Sequence, residues 1–444
     1  MRRGALDAEY AALERDLTAY LAADGRRLAI VKAPPGSGKT HTLIEVLTAL
    51  VGEGMRIAVA AQTNSQANDI CERFARDHPT VPVARFASTG TAQPTGFPDS
   101  VLWMTDKDAL PASAGVTVTT TAKWALTDLP RGPYDLLAVD EAWQMAWADL
   151  MQCATVSEHF LMIGDPGQIP PVVTIVVRRW ETSPRAPHKS APEVVLGEAG
   201  YQTRWFLGSL PACRRLPAES VPFVRPFYDF DFEAYLAAGV SGVDLPTGHG
   251  WADQLGNGRP QALTIPTPEH GPPVEVDSEI AAAAAKIVEE LLCANARLRL
   301  PDRDNPGKSK RRTLKAADIG LTSSHRVMNA ELANALGTRA NEIRIDTPER
   351  WQGLERPTMI AVHPLSGVTD PSAFDLETGR LCVMASRHQA GFILLTRDHV
   401  GETLRNYVPS ASQAPGRPDV VGRGHDAHLR FWEQLEVAGA ITEL

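Results

Sequence analysis

The sequence has few cysteines, and they are not paired. Its five cysteines stand far apart with no CxxC spacing. Disulfide frameworks and most structural zinc sites need cysteines in recurring pairs, so this scatter argues against both and predicts a reducing, cytoplasmic compartment. The positions are Cys71, Cys153, Cys213, Cys293 and Cys382.

Long apolar runs are also missing. The longest, such as residues 136–139, are far shorter than the stretch of about 20 residues that spans a bilayer. The positively charged start, residues 1–4, is followed by Asp7 and Glu9 and not by an apolar segment, so it does not resemble a secretory signal. We therefore expect no membrane partner.

The chain also lacks an excess of positive charge. The net charge is −9, and neither half of the chain is basic. This argues against a histone-like protein or a binder that works through a basic tail. A nucleic acid, if one binds, must be held by a local groove.

The chain is long enough for two domains, because single cores seldom grow past about 300 residues, and it has 444. Short apolar runs alternate with helical patterns over residues 1–200, which is typical of a parallel sheet covered by helices. The predicted strands are Leu28–Val31, Ile57–Ala61, Val116–Thr119, Leu136–Val139 and Phe160–Ile163, with helices at Thr40–Val51 and Ser65–Arg76. Residues 78–115 interrupt the alternation and suggest a small insertion.

Residues 201–444 repeat the theme and predict a second parallel α/β domain. Four segments are interpreted as lacking regular structure. They are a surface loop at 181–192, an irregular region at 229–272, a polar charged loop at 301–315 and a linker at 411–424. The predicted elements are a helix at Ser278–Leu292, strands at Ile319–Thr322, Glu342–Ile345, Met359–Val362 and Phe392–Leu395, and a last helix at Ala427–Val437.

A phosphate-binding loop occupies residues 33–40, between a predicted strand and a predicted helix. Small residues let backbone N–H groups turn toward phosphate oxygens at a helix N-terminus. Lys39 would neutralise the β and γ phosphates, and the Thr40 hydroxyl would bind Mg²⁺. Ala33 stands where the general motif has glycine, which is a minor departure. The residues predicted to bind the nucleotide here are Pro35, Gly36, Ser37, Gly38, Lys39, Thr40 and His41.

Two acids follow the apolar strand at 136–139. A strand end about 100 residues after a phosphate loop is where the rest of a nucleotide site belongs. Asp140 would hold Mg²⁺, and Glu141 would polarise the attacking water.

From here the motifs resemble those of superfamily 1 helicases. Asp140-Glu141-Ala142-x-Gln144 and the segment 164–171 are similar to motifs II and III, and they look most like the branch containing the nonsense-mediated-decay RNA helicase and its bacterial relatives. The resemblance implies that Gln168 senses the γ-phosphate and couples it to the nucleic-acid track.

Three more motifs follow in order. Residues 210–217, 347–355 and 380–387 resemble motifs IV, V and VI. By this resemblance Arg215 and Arg387 are the arginines that reach the γ-phosphate, and Gly353 and Glu355 contact the nucleotide, the acid at its ribose. Arg214 replaces a tyrosine of the family, which leaves adenine recognition open, since a guanidinium can also stack.

The resemblance implies two tandem RecA-like domains, residues 1–200 and 201–444, with ATP and Mg²⁺ in a cleft between them. Closing around a triphosphate and parting after hydrolysis would turn ATP into motion. The expected function is 5′-to-3′ movement on single-stranded DNA or RNA with strand separation. The expected catalytic residues are Lys39, Glu141, Gln168, Arg215 and Arg387.

The nucleic-acid contacts are predicted from short polar side chains at strand ends, which suit phosphate binding without base readout. The alternative for each is ordinary helix capping. The basic stretch Lys308–Arg312 is interpreted as a solvated loop, and Trp143 and Trp351 as either core or stacking residues. The candidate contacts are Thr63, Asn64, Thr121, Ser323 and Thr347.

Two other functions fit parts of the sequence. One is a nucleic-acid-dependent translocase or remodelling ATPase that acts within a complex without unwinding. The other is a scaffold that keeps the fold without turnover, against which the complete set of catalytic residues argues. Besides single-stranded DNA or RNA, candidate partners are proteins of a repair, processing or defence complex.

Overall fold

The computed structural model describes residues 2–25, 27–129, 133–173, 176–180, 183–197, 205–246, 250–302, 307–409 and 419–444. The chain divides into two compact units. Unit 1 comprises Met1–Pro166 and Pro170–Pro211, and unit 2 comprises Gly167–Ile169 and Ala212–Leu444. The division falls after residue 211 and not after 200, because a strand at Phe206–Ser209 pairs with the central sheet of unit 1.

Unit 1 contains a parallel sheet whose described strands have the order β4-β3-β5-β2-β6-β7-β1-β8. Its strands are β1 (Leu28–Lys32), β2 (Arg56–Ala61), β3 (Val83–Phe86), β4 (Val101–Met104), β5 (Gly115–Thr120), β6 (Leu136–Val139), β7 (Phe160–Gly164) and β8 (Phe206–Ser209). Its helices are α1 (Arg2–Ala22), α2 (Lys39–Gly52), α3 (Asn64–Asp77), α4 (Thr121–Ala125), α5 (Trp147–Cys153) and α6 (Ala191–Leu196).

The central strands are apolar along their whole length because both faces of a parallel sheet are covered. In β6 all four residues are buried, as are the central three of β1. The predicted strands and helices of this half are present. Residues 78–115 differ from expectation, since they add β3 and β4 to the same sheet and do not form a separate insertion.

Unit 2 contains a second parallel sheet, in the order β16-β15-β17-β18-β12-β19, and a small antiparallel sheet in the order β11-β13-β14. The strands are β9 (Ala212–Cys213), β10 (Glu233–Ala234), β11 (Gly242–Asp244), β12 (Gln261–Ile265), β13 (Arg297–Pro301), β14 (Ser309–Thr313), β15 (Ile319–Thr322), β16 (Arg344–Asp346), β17 (Arg356–Val362), β18 (His388–Arg397) and β19 (Ile441–Glu443). The helices are α7 (Val221–Val224), α8 (Asp253–Gly256), α9 (Ser278–Cys293), α10 (Arg326–Leu336), α11 (Pro348–Trp351), α12 (Thr378–Ser386), α13 (Val400–Asn406) and α14 (Val420–Val437).

Three expectations for unit 2 are wrong. The region 229–272 is not irregular throughout, because β12 lies inside the main sheet. The interval 301–315 holds β14 and is not a simple loop. Helix α14 begins at Val420, within the expected linker 411–424, whose residues 411–418 lie outside the described part. Residues 181–182 of the expected surface loop also lie outside it.

The two motif tryptophans pack in the cores. Trp351 is fully buried, and its indole N–H donates to the carbonyl of Leu321 at 3.1 Å. Trp143 is also buried. Of the two interpretations left open by the sequence, core packing is therefore the correct one for both.

The tandem parallel sheets with covering helices confirm the predicted α/β class of RecA-like P-loop domains. Within the described ranges, no helix is both long and apolar enough to cross a membrane.

Two buried histidines meet where α14 packs on unit 2. The rings of His363 and His428 lie edge to face with centroids 5.6 Å apart. Burial and the neighbouring His425 lower the pKa of His428 to about 3. Burial, with the charges of His428 and His399, holds the pKa of His363 well below its usual value.

We expect unit 2 to lose stability in mild acid. Unfolded histidines take up protons as the pH falls through about 6.5, whereas the buried pair stays neutral. The unfolded chain then binds more protons, so the free energy of unfolding decreases as the pH falls below that point, by about 2 kcal/mol for His428 at pH ~5. His428→Leu should flatten the pH dependence measured by thermal unfolding. His270→Asn, at an exposed site, should leave it unchanged, and an equally steep loss in His428→Leu would contradict the explanation.

Candidate nucleotide site and motif residues

The phosphate-binding loop begins where β1 ends. The N–H of Ala33 donates to the carbonyl of Gly164 at 2.9 Å, which joins the loop to the end of β7. Gly36 and Gly38 adopt φ values of 61° and 88°, which residues with a Cβ seldom reach. Because Gly38 is the N-cap of α2, these turns direct the loop to the N-terminus of that helix. A helix N-terminus presents free N–H groups and favours anions.

The acids after β6 lie beside this helix start. Lys39 Nζ is 3.2 Å from Glu141 Oε1, and the Thr40 hydroxyl donates to Asp140 Oδ2 at 3.3 Å. The Lys39 and Glu141 side chains are only 11% and 15% exposed. Residues about 100 positions apart in sequence thus form one cluster in unit 1.

Two features of the acid pair carry a free-energy cost. Glu141 has φ 51° and ψ 43°, a left-handed conformation that is strained for a residue with a side chain. Burial and the charge of Glu141 raise the pKa of Asp140 to about 6, despite the opposing charge of Lys39. Strain and a desolvated carboxylate are both typical of functional sites.

The cluster fits a magnesium ion. Mg²⁺ prefers oxygen ligands and is commonly held by one or two protein groups together with waters and substrate phosphates. The Thr40 hydroxyl and the Asp140 carboxylate are oxygen ligands within hydrogen-bond distance of each other. A divalent cation would also offset the cost of the buried charge on Asp140.

Helix α1 supports the loop from the other side. The Tyr10 hydroxyl is buried and donates to the Ser37 carbonyl at 2.8 Å. Four residues along, Glu14 accepts a hydrogen bond from the Thr42 hydroxyl at 3.2 Å. The sequence-based reading missed both residues. Their four-residue spacing places them on one helix face, but no motif marks it as the face that contacts the loop.

The predicted sensor Gln168 belongs to unit 2 by its contacts. The Gln352 amide donates to the Ile169 carbonyl at 3.1 Å. A Cβ added to Gly379 would lie 2.7 Å from the Ile169 backbone and 2.8 Å from Gln168, so this position of α12 has room only for glycine. Gln168 itself is 6% exposed. The motif III segment is therefore packed tightly against Gln352 of motif V and against the start of α12, the helix that carries most of motif VI.

Arg215 is held by two groups of unit 2. Its guanidinium contacts the Glu355 carboxylate and donates to the Ser386 carbonyl at 3.1 Å. Glu355 also accepts a hydrogen bond from Gln389 at 2.7 Å. Burial alone would raise the pKa of Glu355, but Arg215, Gln389 and the charge of Arg387 hold it below its usual value. The structure thus joins Glu355 and Arg215, to which the sequence assigned separate roles.

The other residues of unit 2 that the sequence predicts to contact a nucleotide lie near this group. Arg387 is 1% exposed and follows α12 directly. Gly353 adopts φ 76° in the turn after α11. Arg214, where relatives carry a tyrosine, places its guanidinium 4.3 Å from the ring centroid of Tyr235. That stack engages the face that the sequence left open for a base.

The candidate nucleic-acid residues of unit 1 have structural partners. Thr63 caps α3 through a reciprocal pair of hydrogen bonds with Gln66. Asn64 accepts from the buried Arg85 at 2.7 Å. The Thr121 hydroxyl donates to the Ala61 carbonyl at 3.3 Å. Capping and internal hydrogen bonds explain these side chains without a ligand.

The candidates of unit 2 are similar. The Ser323 N–H donates to the Asn329 side chain at 2.9 Å, and its hydroxyl accepts from the N–H of His325 at 3.4 Å. Thr347 is the N-cap of α11 and is 9% exposed. Both stand at carboxyl ends, Ser323 directly after β15 and Thr347 directly after β16. Ligands of parallel sheets bind at that edge.

Comparison with known proteins agrees with this site. Residues 10–177 match the family described as AAA domain. A 152-residue stretch, 33% of the chain, is 24% identical to the DNA replication ATP-dependent helicase/nuclease DNA2 of Saccharomyces cerevisiae, of which it spans 10%. The chain therefore corresponds to a small part of that relative.

Solved structures similar to this chain include viral helicases. The Arterivirus nonstructural protein 10 helicase matches over 85% of this chain and 61% of its own, with 15% identity and a TM-score of 0.44. The same helicase in complex with DNA matches over 84% and 62%, with 14% identity and a TM-score of 0.43. In its motif order, its AAA-domain match and its similarity to the yeast protein, the chain resembles helicases of superfamily 1.

Proposed function

We propose that this protein is an ATP-dependent helicase that moves along single-stranded DNA or RNA, from the branch of the nonsense-mediated-decay RNA helicase. The observation that carries the proposal is the cluster in which Lys39 meets Glu141 at 3.2 Å and Thr40 meets Asp140 at 3.3 Å. This is the set of groups needed to bind a magnesium nucleotide and activate water.

The Lys39–Glu141 ion pair can exchange one of its partners when a nucleotide binds. Without nucleotide, each neutralises the other in a poorly hydrated site. A triphosphate offers Lys39 a more negative partner, which releases Glu141 to accept a proton from water. Thr40 and Asp140 hold Mg²⁺, which neutralises charge on the phosphates when it is bound.

Gln168, Arg215 and Arg387 complete the reaction in this proposal. Arginine side chains stabilise the charge that develops on the γ-phosphate during transfer. The pairing of Arg215 with Glu355 keeps its guanidinium in one orientation. The packing of residues 167–169 against Gly379 connects the sensor segment to motif VI. Loss of the γ-phosphate then removes the charge that these groups hold, which is how hydrolysis becomes motion.

The yeast relative is described as a helicase and nuclease. The proposal covers only the ATP-dependent motor, because the cluster accounts for phosphoryl transfer to water. Single-stranded DNA or RNA is the expected track, and protein partners of a repair, processing or defence complex remain candidates.

We expect Lys39→Ala and Glu141→Gln to abolish turnover by different routes. Lys39→Ala should lose nucleotide binding, whereas Glu141→Gln should keep it and lower kcat at least ~100-fold, as expected for loss of a general base. Steady-state ATPase rates with single-stranded DNA, with single-stranded RNA and with neither would measure both effects and identify the track. Glu45→Gln, the same change on α2, should be near wild type. Normal turnover in Glu141→Gln would rule out the assigned base.

Tyr10→Phe should weaken ATP binding several-fold and leave the fold intact. It removes the one hydroxyl that fixes the Ser37 carbonyl, a net loss of about 1 kcal/mol. Titration with a fluorescent ATP analogue would give the affinity, and thermal unfolding the stability. Tyr20→Phe is the matched control, since Tyr20 is on the same helix and packs against Phe206. Equal affinities for the two variants would show that α1 does not position the loop.

Direction and strand separation need a separate measurement. On duplexes with a single-stranded tail, we expect unwinding only when the tail is 5′, as the branch resemblance implies. Unwinding of the 3′-tailed substrate alone would reject the proposed polarity. ATPase stimulation by nucleic acid with no unwinding of either substrate would identify a translocase.

A further inference from the structure

A basic hairpin projects from the small sheet of unit 2. It comprises residues 297–315 and includes β13 and β14, with 303–306 outside the described ranges. The segment contains eight Lys or Arg and two Asp residues, a net charge of +6 in a chain whose net charge is −9. Positive charge is therefore concentrated at this one place.

Strand β14 is an edge strand. The order β11-β13-β14 leaves its outer side unpaired among the described strands, and Lys310–Thr313 are exposed. An ordered strand holds its side chains at fixed spacing, unlike the solvated loop expected from the sequence. A polyanion can therefore meet a preformed row of cations and hydroxyls.

Only part of the charge is neutralised within the protein. Lys310 pairs with Asp302 at 2.7 Å, and Arg312 contacts the Asp318 carboxylate at 2.7 Å. Lys308, Arg311 and Lys315 are exposed, and the described residues provide them with no ion pair. The carboxylates thus hold two cations in salt bridges and leave Lys308, Arg311 and Lys315 without one among the described residues, although the charge of Lys315 also acts on Asp318.

The strand register brings two positive charges together, and a bound anion would reduce their repulsion. Arg311 stands directly opposite Arg299, and like charges in that position destabilise a sheet. Asp244 lies 3.3 Å from Arg299, while none of the acids in the described ranges forms a salt bridge with Arg311. An anion at Arg311 would relieve the repulsion.

Two simpler explanations do not account for the number of cations on this hairpin. Charged residues on an edge strand can prevent strand pairing between molecules, but one or two suffice. A protein partner would need an aromatic or aliphatic anchor at the centre of its interface. The exposed described residues of the hairpin are Arg297, Gly307, Lys308, Lys310, Arg311, Arg312, Thr313 and Lys315, and none is apolar.

We propose that the exposed edge of β14 binds the phosphate backbone of a nucleic acid, as a contact separate from the motif residues. It rests on the proposed motor function. Cations and hydroxyls bind phosphates without reading bases, and the described hairpin has no aromatic ring on which a base could stack. The contact is therefore independent of sequence and sensitive to salt.

The test neutralises the three available cations together. The variant Lys308→Gln/Arg311→Gln/Lys315→Gln is compared with wild type by fluorescence anisotropy on labelled single-stranded and duplex DNA and RNA over a salt series. We expect at least a ~10-fold rise in Kd near 0.1 M salt. The negative slope of log K against log salt should lose about 2 to 3 of its magnitude, since each phosphate contact contributes ~0.7 to 0.9. ATPase without nucleic acid should be unchanged.

The matched control changes net charge equally elsewhere in unit 2. Lys286, Arg423 and Arg430 are exposed cations on α9 and α14, and replacing all three with Gln should leave Kd and the salt slope at wild-type values. If the two triple variants bind nucleic acid with equal affinity, the inference is overturned. It is also overturned if the hairpin variant self-associates but still binds nucleic acid with wild-type affinity, because the charges would then serve only to prevent strand pairing between molecules. If wild type binds none of the oligonucleotides, the motor function itself fails.

Discussion

The contact between Lys39 and Glu141 is the constraint on which the nucleotide site depends. Both side chains are nearly buried, and each would be costly there without the other. The pair can form only because the carboxyl ends of β1 and β6 lie at the same edge of one parallel sheet. The left-handed backbone conformation of Glu141 directs that carboxylate to the start of α2, and it adds conformational strain. A site held by mutual neutralisation is ready to exchange one partner for a phosphate.

Unit 2 uses the same principle for its own cations. Arg215 is held by Glu355, which is itself oriented by Gln389 and kept ionised by nearby positive charge. A guanidinium fixed in this way loses little side-chain entropy when it meets a new anion. The acid that the family resemblance assigns to the ribose therefore has a second task in this chain, which is to position an arginine.

The sequence predicted nine of the fourteen described strands of the two main sheets, because their apolar runs are long enough to recognise. Among the strands that it missed, β12 and β8 stand in regions rich in glycine and proline, where only pairing with a distant strand shows that they belong to a sheet. It predicted the residues of the nucleotide site because their chemistry recurs in order along the chain, and the structure brings Lys39, Thr40, Asp140 and Glu141 together. It missed Tyr10 because a hydroxyl that supports a carbonyl leaves no spacing pattern. The basic stretch at 308–312 was misread because alternation of apolar and polar residues, the usual strand signal, is absent from an edge strand exposed on both faces.

The proposed nucleic-acid contacts differ in how much of their binding capacity is already used. Thr63, Asn64 and Ser323 donate or accept hydrogen bonds that the fold itself requires, so a phosphate must share or displace those partners. Displacement returns little free energy, because one hydrogen bond replaces another. The cations without a salt bridge to any described residue, which are Arg311 on β14 and the flanking Lys308 and Lys315, have no such cost, and releasing their counterions gains free energy at low salt. If the capping residues and the hairpin cations bind the same nucleic-acid strand, the hairpin should account for much of the salt dependence of binding. The capping residues would then fix the position of the nucleic acid without adding much affinity.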